Sequence, residues 1–194
     1  MKPPAAADLT PDTIVAFLAD IFARRGGESY LGEPVTMAEH MLQAASLAER
    51  DGQPEAVVVA ALLHDIGHFT GELGAFSMDD TEDRWHEAAG ADLLARFFPP
   101  LVVACVRQHV AAKRYLCATA PSYREQLSPA SRHSLKLQGG PMGPEEVEAF
   151  AAQPFLEEIL KVRRYDDQGK VAGMETPPFA HYAPMVQRVV RSAS

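Results

Sequence analysis

Apolar positions along this chain recur at helical spacing, and no stretch shows a sustained alternation of apolar and polar residues. Thr36 and Glu39 make a capping-box pair ahead of MLQAASLAER, and Asp51-Gly52 then supplies a stop. Pro54 opens PEAVVVAALLHDIGH, whose apolar run is too long for an ordinary strand. Thr81 caps EDRWHEAAGADLLARFF, Pro99-Pro100 opens LVVACVRQHVAAKRYL, and Ser128-Pro129 starts ASRHSLKLQ, which Gly139-Gly140 ends. Further helical patterns cover 144–152 and 154–166, and a last one follows Pro177-Pro178. Residues 70–83 read as a loop, and there is no internal repeat or low-complexity segment. The expected fold class is all-α, a helical bundle.

Polar groups interrupt this pattern where they are hardest to accommodate. AALLHDIGHF (60–69) places His64, Asp65 and His68 directly behind an apolar run, where burial without a partner is unfavourable. Of the seven histidines, five lie inside or at the ends of apolar-faced helices. His40 sits on one helix, His64-Asp65 at the end of the next, His86 and His109 on two more, and Asp166-Asp167 ends a later one. Inward-facing residues on separate helices of a bundle can converge on one point. Successive helical residues diverge by about 100°, so a doublet meets one metal only near a helix end, where its carboxylate can also bridge two ions. Imidazole and carboxylate ligands suit Fe, Mn, Zn or similar ions without choosing among them. Four histidines and two aspartates suffice for a dinuclear site, whose ions lie roughly 3.5 to 4 Å apart.

Composition narrows the partners. At 194 residues and 47% hydrophobic content the chain is expected to form one domain over 1–194. A net charge of -8 and a pI near 5.3 argue against nucleic acid or an anionic membrane and favour a small soluble substrate. The N-terminal MKPPAAADLT lacks the apolar region of a secretory signal, and no stretch approaches the roughly 20 apolar residues of a membrane span. Cys105 and Cys117 read as free thiols, so a cytoplasmic location is expected. The sequence is silent on oligomeric state.

The order His40, His64-Asp65 and a distant Asp166 resembles the HD-domain superfamily, named for its His-Asp doublet; most members are metal-dependent phosphohydrolases. His86 and His109 between doublet and last aspartate resemble its dinuclear branch. The runs YLGE (30–33), HVAAKRYL (109–116), SPASRHSLKLQGGPM (128–142) and KVRRYDDQGK (161–170) are similar to the mixed-valent diiron HD oxygenases of phosphonate breakdown, over about residues 28–185.

The resemblance implies an HD-domain helical bundle holding two Fe ions as an Fe(II)/Fe(III) pair, with O2 as co-substrate. The implied reaction cleaves the carbon-phosphorus bond of 1-hydroxy-2-(trimethylammonio)ethylphosphonate, or of its 2-amino analogue, to give glycine betaine or glycine and phosphate. The implied ligands are His40, His64, Asp65, His86, His109 and Asp166, with Asp65 bridging. Tyr30 matches a tyrosine that holds an iron position until substrate displaces it, and Glu33 matches its loop partner. Lys113, Ser131, Gln138, Arg163 and His68 match residues around substrate and phosphonate, so Tyr30, Glu33, His68 and Lys113 are the expected catalytic set. Lys113 follows His109 by four residues and shares its helix face, where a cation would stabilise a doubly charged phosphonate. In the stretch 69–85, Glu72, Asp79, Asp80, Glu82 and Asp83 accompany Phe69, Phe76 and Trp85. Acidic groups with aromatic faces suit a quaternary ammonium, which favours the trimethylammonio substrate. Two other classes stay open: a metal-dependent phosphohydrolase acting on a nucleotide or other phosphate ester, and a metal-stabilised regulatory or binding module.

Overall fold

A computed structural model describes residues 8–30, 32–69 and 86–190. Its helices are α1 (Ile14–Arg25), α2 (Met37–Arg50), α3 (Glu55–Leu63), α4 (His86–Leu94), α5 (Pro100–Thr119), α6 (Pro121–Gln126), α7 (Pro129–Leu137), α8 (Pro144–Ala151), α9 (Leu156–Gln168) and α10 (Phe179–Val189). Among the described residues the sheet content is a single antiparallel bridge between Ser29 and Thr36, so the fold is all-α.

Local chemistry explains where these helices begin. Thr36 is extended, its hydroxyl accepts from the Glu39 amide, and the Glu39 carboxylate accepts from the Thr36 amide at 2.7 Å, a complete capping box for α2. Ser128 Oγ likewise accepts from the Ser131 amide at 3.0 Å, and Pro129 fills the first turn of α7. Helix α3 is buried over Val57–Leu63 without a polar face, because α2, α5, α9 and α10 surround it. The main core collects side chains from α1, α2, α3, α4, α5, α8, α9 and α10, and a small satellite joins Cys117, Leu127 and Leu135. Both cysteines are free and buried, and burial pushes the Cys105 thiol up to about 12. No helix among the described residues is long and apolar enough to cross a membrane.

Three differences from the sequence pattern matter. The helix expected over 54–68 ends at Leu63, and Ile66–Phe69 forms a separate 3-10 turn, so His64 and Asp65 lie at the break. Helix α1 was not anticipated, although Ile14, Leu18, Ile21 and Phe22 form a buried stripe at helical spacing. Helix α6 was also missed, since its six residues include no buried one and carry no readable period. The Thr81 cap and the acidic, aromatic stretch 70–85 lie outside the described residues; Phe69 alone of that set is described, and it is buried.

Candidate metal centre and anion pocket

Helices α2, α3, α4, α5 and α9 each deliver part of one buried cluster. His40 comes from α2, His64 and Asp65 from the break after α3, His86 from the start of α4, His109 from α5 and Asp166 from the last turn of α9. His40 and His64 are fully buried, and Asp65, His109 and Asp166 are each 2% exposed.

The donor atoms fall into two groups, split by the two oxygens of Asp65. On one side His40 Nε2 lies 2.9 Å from His64 Nε2, 3.4 Å from Asp65 Oδ2 and 3.5 Å from Asp166 Oδ1. On the other, Asp65 Oδ1 lies 3.2 Å from His86 Nε2 and 3.3 Å from His109 Nε2, which are themselves 3.1 Å apart. Ligand atoms bound to one metal at about 2.1 Å are separated by about 3.0 to 3.4 Å, so both groups have the spacing of a coordination sphere. His68 Nε2 stands further off, 3.9 Å from Asp65 Oδ1, with its ring stacked on His86 at 4.0 Å. It therefore borders the second group rather than completing it.

Backbone carbonyls orient the imidazoles. His40 Nδ1 meets Gly169 O, His64 Nδ1 meets Ala61 O and His109 Nδ1 meets Val106 O, each at 2.8 Å. A carbonyl only accepts, so each Nδ1 carries the proton and each Nε2 is turned inward as an atom that could coordinate a metal. His86 differs: its Nδ1 approaches the buried Glu87 carboxylate at 3.5 Å. Gly169 can bring its carbonyl to His40 because it lacks a Cβ, which would meet His40 O at 3.0 Å and Ala44 N at 3.1 Å.

Inward-facing Nε2 lone pairs beside Asp65 Oδ2 and Asp166 Oδ1, two buried oxygens without a hydrogen bond, form a strongly electron-rich cavity. Without a cation only protons can hold it together. Burial works to lower His64, but the Asp65 carboxylate outweighs it and lifts the imidazole to about 9, while burial lowers His40. The donor set fits divalent or trivalent metal ions, which would replace those protons. Binding of metal to the metal-free protein at pH 7 is therefore expected to release at least one proton per chain, falling toward none above about pH 9 where His64 is already neutral. Titration in weakly buffered solution with a pH indicator measures this; uptake of metal with no proton release at pH 7 would contradict the arrangement.

Beside the metal groups opens a pocket walled by Tyr30, Glu33, His68, Lys113, Ser131 and Gln138, with Arg163 also in its lining. All seven residues expected near the substrate thus face one space. Tyr30 stacks on His40, ring centroids 4.0 Å apart. Burial, and then the charges of Asp65 and Asp166, holds its phenol well above the usual range, so it keeps its proton. Glu33 accepts from Ser128 Oγ, which ties the Tyr30 loop to the start of α7. Lys113 donates to Ser134 Oγ at 2.8 Å; burial, and then the Arg163 charge, push its ammonium down to about 7. Arg163 lines the pocket while pairing with Asp166 at 2.5 Å and with Asp167, and it donates to the Tyr123 hydroxyl at 3.0 Å. Gln138 turns a buried, unpartnered Oε1 toward the same region.

Sequence reasoning overlooked Ser134, Lys170, Tyr123 and Glu87. Ser134 was within reach, because it follows Ser131 by one helical turn and shares its face. Tyr123 contacts Asp167 across 44 residues, which no local pattern signals. The other two histidines are not among these donors: His181 bonds Glu49 at 3.0 Å and His133 lies on α7.

The HD-domain family profile matches residues 37–148. A protein of Leisingera caerulea named 1-hydroxy-2-(trimethylamino)ethylphosphonate dioxygenase (glycine-betaine-forming) is 63% identical over 190 residues, covering 98% of this chain and 97% of the relative. A hydroxymethylphosphonate dioxygenase of Gimesia maris is 40% identical over 181 residues, 89% of this chain and 86% of that protein. Similar to two proteins named as phosphonate dioxygenases across nearly its full extent, and with its His-Asp doublet seated at the helix break and a profile match over more than half its length, the chain belongs to the HD-domain family.

Proposed function

We propose that the protein is an O2-dependent dioxygenase that cleaves the carbon-phosphorus bond of 1-hydroxy-2-(trimethylammonio)ethylphosphonate, giving glycine betaine and phosphate. The observation that carries this reading is the division of the donors between the two oxygens of Asp65, beside a pocket lined with cationic side chains, in a chain 63% identical to a glycine-betaine-forming dioxygenase. The net change balances: substrate and O2 give glycine betaine, hydrogen phosphate and one proton, with the C1–H and C1–P bonds broken. His40, His64 and Asp166 would hold one metal, His86 and His109 the other, and Asp65 would bridge. Iron is the metal we assign, because the reaction needs a redox-active ion, which excludes zinc, and the resemblance to diiron HD oxygenases favours iron over manganese; when bound, a mixed-valent pair would supply the electron transfer to dioxygen.

The chain's own residues do the rest. Lys113 and Ser131 receive the phosphonate, and a doubly charged ligand favours the charged form of Lys113 that burial opposes. Arg163 fixes Asp166 and balances its charge. Burial, and then the His86 charge, pushes His68 down to about 3, so it faces substrate as a neutral imidazole able to accept from the C1 hydroxyl. Tyr30 closes the metal side of the pocket as a neutral phenol, and it is the group that substrate would displace. We place this activity in the cytoplasm, in keeping with two free thiols.

Substrate choice is tested by competition. With equal amounts of the trimethylammonio and primary-amine substrates in one aerobic reaction, glycine betaine should exceed glycine by at least a few-fold, since cation-aromatic contacts contribute roughly 0.5 to 2 kcal/mol each. An excess of glycine would reject the quaternary-ammonium assignment, and the absence of both products would reject the reaction.

A further inference from the structure

The geometry points to Lys170 as the residue that fixes Ser131 as a hydrogen-bond donor to the bound phosphonate, a positioning role exerted through the Ser131 hydroxyl and resting on the reading of the pocket as an anion site. Lys170 Nζ lies 3.0 Å from Ser131 Oγ, 3.5 Å from Asp166 Oδ1 and 5.8 Å above the centre of the Tyr30 ring. An ammonium donates and never accepts, so in this contact Ser131 Oγ is the acceptor. Its own O–H is then left to donate elsewhere, and among the described residues Ser131 Oγ has no second partner.

The neighbouring hydroxyl makes the contrast. Ser134 Oγ accepts from Lys113 at 2.8 Å and donates to Ser131 O at 3.2 Å, so both of its roles are filled inside the protein. Of the two pocket serines, Ser131 is the one with a proton to spare, and on the reading of the pocket as an anion site a phosphonate oxygen is its acceptor. Were Lys170 absent, no contact among the described residues would hold the Ser131 hydroxyl in that orientation, and its proton would no longer be directed at the anion.

Lys170 stands on an immobilised backbone. Gly169 before it presses against α2 and gives its carbonyl to His40 at 2.8 Å. Val171 after it is held twice by Gln43, its amide donating to Oε1 at 2.9 Å and its carbonyl accepting from Nε2 at 2.8 Å. The side chain is thereby aimed at Ser131 from a segment fixed on both sides, as a residue that sets the orientation of another must be.

A double-mutant cycle with inorganic phosphate as the probe tests this on the metal-loaded protein. Ser131→Ala and Lys170→Met should each weaken phosphate binding by about ten-fold in calorimetry, and the double variant should be no weaker than about ten-fold, because both remove the same donor. In turnover the two single variants should raise KM with little change in kcat, and Lys170→Arg should restore most of the loss. Additive losses near a hundred-fold, or normal binding in Lys170→Met, would overturn the inference; Lys170→Leu carries the same cycle if the methionine variant does not fold. Wild-type protein that binds phosphate but cleaves no phosphonate would remove the proposed reaction and leave this inference standing.

Discussion

Asp65→Ala should empty both metal positions at once and abolish phosphate release with them. Each metal group has its own histidines, yet both depend on this one carboxylate, Oδ2 facing His40 and His64 at 3.4 and 3.3 Å and Oδ1 facing His86 and His109 at 3.2 and 3.3 Å. Its removal leaves four imidazoles around a single remaining aspartate, too few anionic donors to hold two ions close together. Metal analysis of purified protein should fall from two ions per chain to near zero, while His133→Ala, altered at an α7 histidine outside the proposed ligand set, should keep its metal. An Asp65→Ala protein with two ions and normal turnover would show that the carboxylate does not bridge.

Gly67→Ala should disable the second metal group by a purely steric route. A Cβ on Gly67 would fall 1.8 Å from His86 O and 2.7 Å from Gly90 N, both backbone atoms of α4, so no side-chain rotation can relieve the overlap. The 3-10 turn and α4 must separate, and His86 moves away from Asp65 Oδ1 with its helix. Overpacking of this kind costs about 1 to 3 kcal/mol, which for a chain of this size lowers Tm by roughly 2 to 12 °C. Chelator competition should then show one ion lost far more readily than the other, and displacement of a ligand by about 1 Å should cost about a hundred-fold in rate. Unchanged Tm and metal content would mean that the turn does not rest on α4 at this distance.

The candidate metal ligands were legible because they broke a pattern. Histidines and aspartates on the apolar faces of separate helices are unfavourable unless something pairs with them, and the doublet at the end of the α3 run marked where two adjacent residues could serve one site. Geometry beyond that was hidden. Which Asp65 oxygen faces which histidines depends on how α3 stops and a 3-10 turn begins, and the helical pattern there ran on to His68. The carbonyls that set the imidazole orientation belong to Gly169, Ala61 and Val106, and backbone groups leave no composition signal. Lys170 lies inside the run KVRRYDDQGK, but its contact with Ser131 spans 39 residues and exists only in the folded chain. Helix α1, by contrast, carries a plain stripe of buried residues at helical spacing, a signal that is present in the sequence.

The dependence of phosphate release on dioxygen tests the central claim most directly. Iron-loaded protein is given the trimethylammonio substrate in air and, in parallel, under strict exclusion of oxygen, and phosphate, glycine betaine and oxygen consumption are measured together. The predicted result is phosphate and glycine betaine in equal amounts, one O2 consumed for each, and no phosphate without oxygen. Phosphate released at the same rate in the absence of oxygen would contradict the account and mark the site as hydrolytic.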